Sequence, residues 1–304
     1  MRREAGFTLV ELVTVITLTG IIAVLVGQNI ARPVEGFSDL AMRAALVDAA
    51  DLAVQRMSRE VRLALPNSVR ITNGAIQGQD SCTASGGTTC AVEILRTSDG
   101  GQYRGELDGS DNDQCAGPDD DSLDFAAVAD CFEILGSIAN VPAAAGGATP
   151  ADCRQGNVDC LVVFNTGQAG ANAYDGDNLA AIQAASVNSI TFDISGSPQN
   201  RFPLPSPRRR FHLVDMPVSF VCDSGAGTLT RFADYDIDPT QSTAPGGDSA
   251  LLADKVQSCD FRYVQGVGSR NALLTVTLVV RDMDTQGNAN DVRLVEQISV
   301  PNAP

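Results

Sequence analysis

One carboxylate is conspicuous for where it lies. Glu11 sits inside the apolar run from Phe7 to Gly27, which has about the length that crosses a hydrocarbon core. A carboxylate there costs at least about 2.5 kcal/mol on insertion scales, so it needs a partner. Gly6 directly precedes the run, where a plain membrane anchor has no use for glycine. A cut between Gly6 and Phe7 would create an amine one helical turn before Glu11. The two could pair within one chain or between neighbours, offsetting the burial of the carboxylate on assembly. Arg2 and Arg3 stand on the short side of the run, which keeps that end cytoplasmic. The polar residues of the run are mostly Thr8, Thr14, Thr17 and Thr19, whose hydroxyls can bond back to helix carbonyls.

Other chemistry is thinly represented. His212 is the only histidine. With no G-x-S-x-G, no H-E-x-x-H and no phosphate-binding loop, nucleophilic and zinc hydrolysis have no template. Carboxylates are plentiful, but no pair is singled out for hydrolysis. Asp108, Asp111, Asp113, Asp119, Asp120 and Asp121 crowd one loop with Gly109 and Gly117. Calcium takes six to eight oxygens from such loops, so Asp111, Asp113, Asp119 and Asp121 are candidate ligands; their spacing matches no EF-hand. Asp282-x-Asp284-x-x-Gly287 lacks the acidic twelfth position and reads as a hairpin turn. Arg208, Arg209 and Arg210 are too few for stable lipid binding.

The eight cysteines are Cys82, Cys90, Cys115, Cys131, Cys153, Cys160, Cys222 and Cys259. None forms C-x-x-C, and all lie beyond the first eighty residues. This suits disulfides in an oxidising compartment. Proximity suggests Cys82 with Cys90, Cys115 with Cys131, and Cys153 with Cys160. Cys222 and Cys259 lie on strands that could be neighbours. Eight cysteines allow 105 pairings, so other connectivities stay open. The net charge is −16, with 37 acidic and 21 basic residues. That excludes a nucleic-acid partner, which needs a basic surface.

The elements that must position these groups begin with a helix. Past the apolar run, Val34, Phe37, Ala41, Ala44, Val47, Val54, Met57 and Val61 recur mostly at spacings of three and four. The spacing predicts an amphipathic continuation, with Pro33 as a candidate kink and Pro66 as the stop. Beyond it, short strands are expected at 69–76, 92–96, 160–164, 189–194, 217–222, 228–232, 256–264, 273–281 and 292–300. Segments 74–87, 108–121 and 142–156 read as long loops. The last five strands read as an antiparallel meander with one face packed. The proline-rich segment 198–210 suggests two lobes, 66–200 and 208–304.

Gly6-Phe7-Thr8-Leu9-Val10-Glu11-Leu12 resembles the class III signal of type IV pilins and type II secretion pseudopilins. The resemblance implies that a prepilin peptidase cuts after Gly6 and methylates Phe7, and it places the family's glutamate on Glu11. Pro33 comes slightly late compared with the proline of many pilins, which displaces any kink. Ala31–Gly36, Leu65–Arg70, Arg210–Cys222 and Ser269–Asn271 resemble the MshO-type minor pilin of the mannose-sensitive haemagglutinin (MSHA) pilus. The middle, about 74–208, carries no such patch.

The expected fold is α+β. A leader peptide (1–6) precedes a transmembrane helical half (7–28), an amphipathic half (29–65) and a disulfide-bonded, mainly antiparallel β head (66–304). The expected function is structural, with no enzyme activity. The chain would cross the inner membrane once with a periplasmic head and reach the cell surface on assembly. The resemblance implies major and minor pilins, a prepilin peptidase, an inner-membrane assembly platform and an ATPase as partners. A J-type minor pseudopilin of type II secretion is the alternative within that machinery. A membrane-anchored, calcium-binding adhesin ectodomain is the alternative outside it.

Overall fold

The computed structural model describes residues 8–105, 122–126, 130–197, 199–266, 270–284 and 286–301, without the side chains of 27–35. By its internal contacts the chain divides into two units. One is Met1–Asp48 with Arg281–Val292; the other is Ala49–Val280 with Arg293–Pro304.

The apolar run and its amphipathic continuation form one helix, α1, Leu9–Val61. Its last segment, in the second unit, buries Ala50, Ala53, Val54, Met57 and Val61, a stripe at helical spacing. The helix stops four residues before the expected Leu65. Leu63 and Ala64 donate to the carbonyls of Glu60 and Val61 at 2.9 and 3.1 Å, and Leu65 donates to Leu95 at 2.7 Å. The last turn therefore tightens to i→i+3 bonds, and the backbone leaves the helix to pair with a strand.

Among the described residues thirteen strands and one short helix follow: β1 (Arg70–Thr72), β2 (Ser81–Ser85), β3 (Thr89–Tyr103), β4 (Cys131–Leu135), α2 (Pro150–Arg154), β5 (Cys160–Val163), β6 (Leu179–Ala185), β7 (Ser189–Asp193), β8 (Arg210–Asp223), β9 (Thr228–Ala233), β10 (Asp248–Ala253), β11 (Val256–Val264), β12 (Ala272–Met283) and β13 (Ala289–Val300). The larger sheet runs β1-β3-β4-β7-β6-β5-β8-β9-β10, and the smaller runs β13-β12-β11-β2. The registered pairings among the described residues of these strands are antiparallel.

This topology corrects two expectations. The division at 198–210 is not where the sheets divide. β3 pairs with β8 from Thr89↔Asp223 to Gln102↔Arg210, so strands from both expected lobes share one sheet. The expected meander is also broken. β8, β9 and β10 end the larger sheet, while β11, β12 and β13 build the smaller. The crossing takes two residues, Asp254 and Lys255, with Lys255 at φ 56°.

Two glycines explain how β3 reaches such length. A Cβ at Gly100 would stand 2.8 Å from the Phe211 carbonyl oxygen, and one at Gly101 would stand 2.9 Å from the Phe211 ring. Only glycine lets β3 lie against β8 there. The core beneath is aromatic: Tyr103, Phe132, Phe192, Phe202 and Phe211 are fully buried. Phe132 meets Phe211 at 5.3 Å between ring centres.

Three disulfides join Cys82–Cys90, Cys153–Cys160 and Cys222–Cys259. Cys131 is also disulfide-bonded; Cys115, its expected partner, lies outside the described residues. Cys90 and Cys222 face each other as register partners on β3 and β8. Each is bonded to a strand of the smaller sheet, so two adjacent disulfides tie the sheets together. Cys222 and Cys259 thus lie on different sheets, linked across them.

Candidate functional site: the helix start and its carboxylate

Thr8 is the last residue before α1, and Glu11 lies in its first turn. The Glu11 N–H donates to the Thr8 hydroxyl at 3.3 Å. The Thr8 hydroxyl and N–H point to one Glu11 carboxylate oxygen at 3.4 and 3.5 Å. Threonine followed three residues later by glutamate is a capping box, here a loose one, since ordinary N–H···O bonds run nearer 3 Å. The carboxylate is thereby held at the positive end of the helix. Sequence reasoning singled out Glu11 for its cost in the membrane and missed this capping role. The T-x-x-E spacing could have shown it.

The helix that follows fits a membrane by length and composition. Leu9–Val26 has a mean hydropathy of 2.5 and none of it is buried within the protein. Two of its threonines are satisfied inside the helix. Thr14 donates to the Glu11 carbonyl at 3.0 Å, and Thr17 to the Val13 carbonyl at 3.0 Å. Hydrocarbon offers no other partners for hydroxyls. Glu11 is then the one acidic or basic side chain between Leu9 and Val26. Gly6 and Phe7 lie outside the described residues.

The second unit holds a polar cluster that the sequence did not single out. Glu93 on β3 is almost fully buried. Arg70 donates to it at 2.7 Å and to the carbonyls of Asp238 and Pro239 at 2.7 and 2.8 Å. The Arg70 guanidinium stacks 3.6 Å from the centre of the Tyr174 ring. Ser219 donates to Glu93 at 3.3 Å and shares a 2.7 Å bond with the Tyr235 hydroxyl. Burial pushes the Glu93 carboxyl above its usual value, against the pull of Arg70. A cleft of about 480 Å³ opens over this cluster, lined also by Asp234, Asp236 and Asp238. Arg70 ties the 234–247 loop to the sheet, a structural task.

The remaining candidates fall into place simply. His212 is half-buried on β8, opposite Val162 of β5 and Gly100 of β3. Asp284 accepts from the N–H groups of Gln286 and Asn288 at 2.9 and 2.7 Å and from the Asn288 amide at 2.9 Å, as a turn carboxylate does. The proposed calcium ligands Asp111, Asp113, Asp119 and Asp121 lie outside the described residues. Among the described residues no three His, Cys, Asp or Glu side chains are gathered to hold a metal.

Residues 1–27 match the family model of the prokaryotic N-terminal methylation motif. None of the curated proteins and none of the solved structures compared with the chain matches it. A methylation motif, opening a helix of membrane length that carries one capped carboxylate, supports a type IV pilin-like or pseudopilin precursor with a disulfide-bonded β head.

Proposed function

We propose that the chain is a minor pilin of an MSHA-type type IV pilus, acting at the tip or in the initiation complex. The observation that carries the reading is Glu11, one carboxylate bonded to Thr8 at the start of the otherwise uncharged apolar stretch Leu9–Val26. Before processing, the helix anchors the precursor in the inner membrane with its head on the periplasmic side. A prepilin peptidase cuts after Gly6 and methylates the Phe7 amine. Glu11 then exchanges its loose contacts with Thr8 for the amine of Phe7 on an adjacent subunit, a shorter and charge-assisted pair. The Leu9–Val26 surface transfers from lipid to the helices of other pilins. Major and minor pilins, the assembly platform and its ATPase are the partners on this reading. The head is larger than a repeating subunit needs, which favours a minor position.

The same motif would serve a J-type minor pseudopilin of type II secretion, and loss of a fibre against loss of secretion in a deletion strain separates the two. An anchored ectodomain that never polymerises is separated by Glu11→Ala. The measurement is the fraction of chain in sheared fibres against the fraction in inner membrane. A pilin loses about tenfold or more of its fibre fraction, corresponding to about 1.4 kcal/mol of lost pairing. A plain anchor keeps its distribution, because it sheds a buried charge.

A further inference from the structure

Four strands end the two sheets: β1 and β10 in the larger, β13 and β2 in the smaller. A sheet edge offers a row of unpaired N–H and C=O groups, and proteins blunt such edges by brevity, bulges, proline or charged side chains, lysine above all. Three of the four are blunted. β1 has 3 residues. β10 has 6 and shifts register between Leu251 and Ala253. β2 has 5 and is stapled through Cys82 to Cys90.

β13 is the longest of the four, and the device it carries is charge, with Arg293 exposed and Glu296 on the inner face. It runs for 12 residues, with no proline or lysine among them. Its last eight, Arg293–Val300, belong to the second unit. They alternate cleanly: Arg293, Val295, Gln297 and Ser299 are exposed, while Ile298 and Val300 are buried. Leu294 and Glu296 share the inner face yet stay only half-buried. Among the described residues neither Arg293 nor Glu296 makes an ion pair.

We propose that the outer edge of Arg293–Val300 is a docking edge for an extended strand of a neighbouring subunit. The inference rests on the pilin-like reading, in which subunits assemble side by side. Backbone groups in a row are best satisfied by another strand, and side chains beside the edge then select which one. Residues directly opposite share a face about 5 Å apart. The fitting strand therefore alternates, sets a carboxylate beside Arg293 and apolar side chains beside Val295 and Leu294.

A second copy of this strand fits less well. In a two-fold pairing, residues of equal parity face each other. Centred on Leu294 or Val295, such a pairing sets Arg293 against Val295 or Gln297, and Glu296 against Val292 or Leu294. Centred on Glu296, it sets two carboxylates together, which is destabilising. A strand of different sequence, acidic at the Arg293 position, relieves all of these.

The test uses the full chain in its own strain. Val295→Pro and Glu296→Pro are made separately. Neighbouring N–H groups of a strand point to opposite sides, so one of the two prolines removes an outward N–H and leaves the β12 ladder whole. That variant is recognised by an unchanged thermal midpoint in detergent. Arg293→Glu, at an exposed position, serves as the second probe and needs no choice of parity. The expected result is normal cleavage and membrane insertion with about a tenfold loss from sheared fibres. Wild-type fibre levels for both the fold-retaining proline variant and Arg293→Glu would overturn the proposal. So would a detergent-solubilised dimer of the wild-type chain that the proline variant abolishes, because the edge would then serve a second copy. Absence of N-terminal cleavage in the wild type itself would instead sink the pilin-like reading.

Discussion

Leu9–Val26 and Ala49–Val61 belong to one helix, yet they are stabilised by different things. The later segment has an internal explanation. Ala50, Ala53, Val54, Met57 and Val61 are buried, and Glu60 accepts two bonds from Arg231 of β9, both at 2.8 Å. The earlier segment has none. Ile16, Leu18, Ile21, Ile22 and Val24 are each more than half exposed, and the Thr14 and Thr17 hydroxyls bond back to carbonyls of the helix. A surface so apolar, on a stretch of membrane length, has its energetic justification outside this chain, in hydrocarbon. The head has a buried core of its own, whereas Leu9–Val26 has the length and composition of a membrane helix.

Three perturbations can break or sharpen that contrast. The largest effect is expected from removing the long-range staple. Cys222–Cys259 closes a loop of sequence separation 37, worth about 4 kcal/mol in the chain-entropy account. The double alanine variant should lower the urea midpoint of the head accordingly, while cleavage of the N-terminus proceeds as in wild type. If cleavage fails together with the head, the two regions are not independent.

Next comes a matched pair on the helix. Met57→Ala deletes a fully buried side chain and should cost the head about 3 kcal/mol in denaturant unfolding. Ile16→Ala removes an exposed one and should leave the midpoint unchanged. An equal loss in both would mean that Leu9–Val26 packs on the head after all.

The smallest effect concerns pH. Asp99 accepts from the N–H groups of Gly100, Ala139 and Asn140 at 2.7, 2.8 and 2.8 Å. Burial alone would push its carboxyl up, but these N–H groups outweigh it and the net direction is down. A carboxylate depressed in the folded state contributes stability above its unfolded pKa and loses it as pH falls through the folded one. Asp99→Asn should therefore cost about 1 kcal/mol near neutral pH and nothing at a pH below the folded value. A constant deficit across that range would mean that the loss is one of packing and not of charge.

The sequence showed the parts of this molecule that rest on local physics. The long apolar run, its lone Glu11 and the helical spacing up to Val61 are one-dimensional signals. So is the turn after Cys222, where the Asp223 side chain accepts from the N–H groups of Gly225 and Ala226 at 2.8 and 3.0 Å. What escaped depends on tertiary context. β6 reads Leu-Ala-Ala-Ile-Gln-Ala-Ala, a composition that favours helix, and becomes a strand only because β5 and β7 flank it. β2 reads Ser-Cys-Thr-Ala-Ser, with no large apolar residue to mark it, and lies inside the expected loop 74–87. β4 and β10 lie outside the strands expected from the sequence. The second half of β3 carries Ser98-Asp99-Gly100-Gly101, which looks like a turn until Phe211 shows why glycine is needed. The cluster around Glu93 joins β1, β3, β8 and the 234–247 loop, distances along the chain that no spacing rule covers.

The most direct test of the central claim is the mass and N-terminal sequence of the mature chain, from strains with and without the prepilin peptidase. The account predicts a chain beginning at methylated Phe7, found only where the peptidase is present. A chain beginning at Met1 in both strains would contradict it and leave an anchored ectodomain.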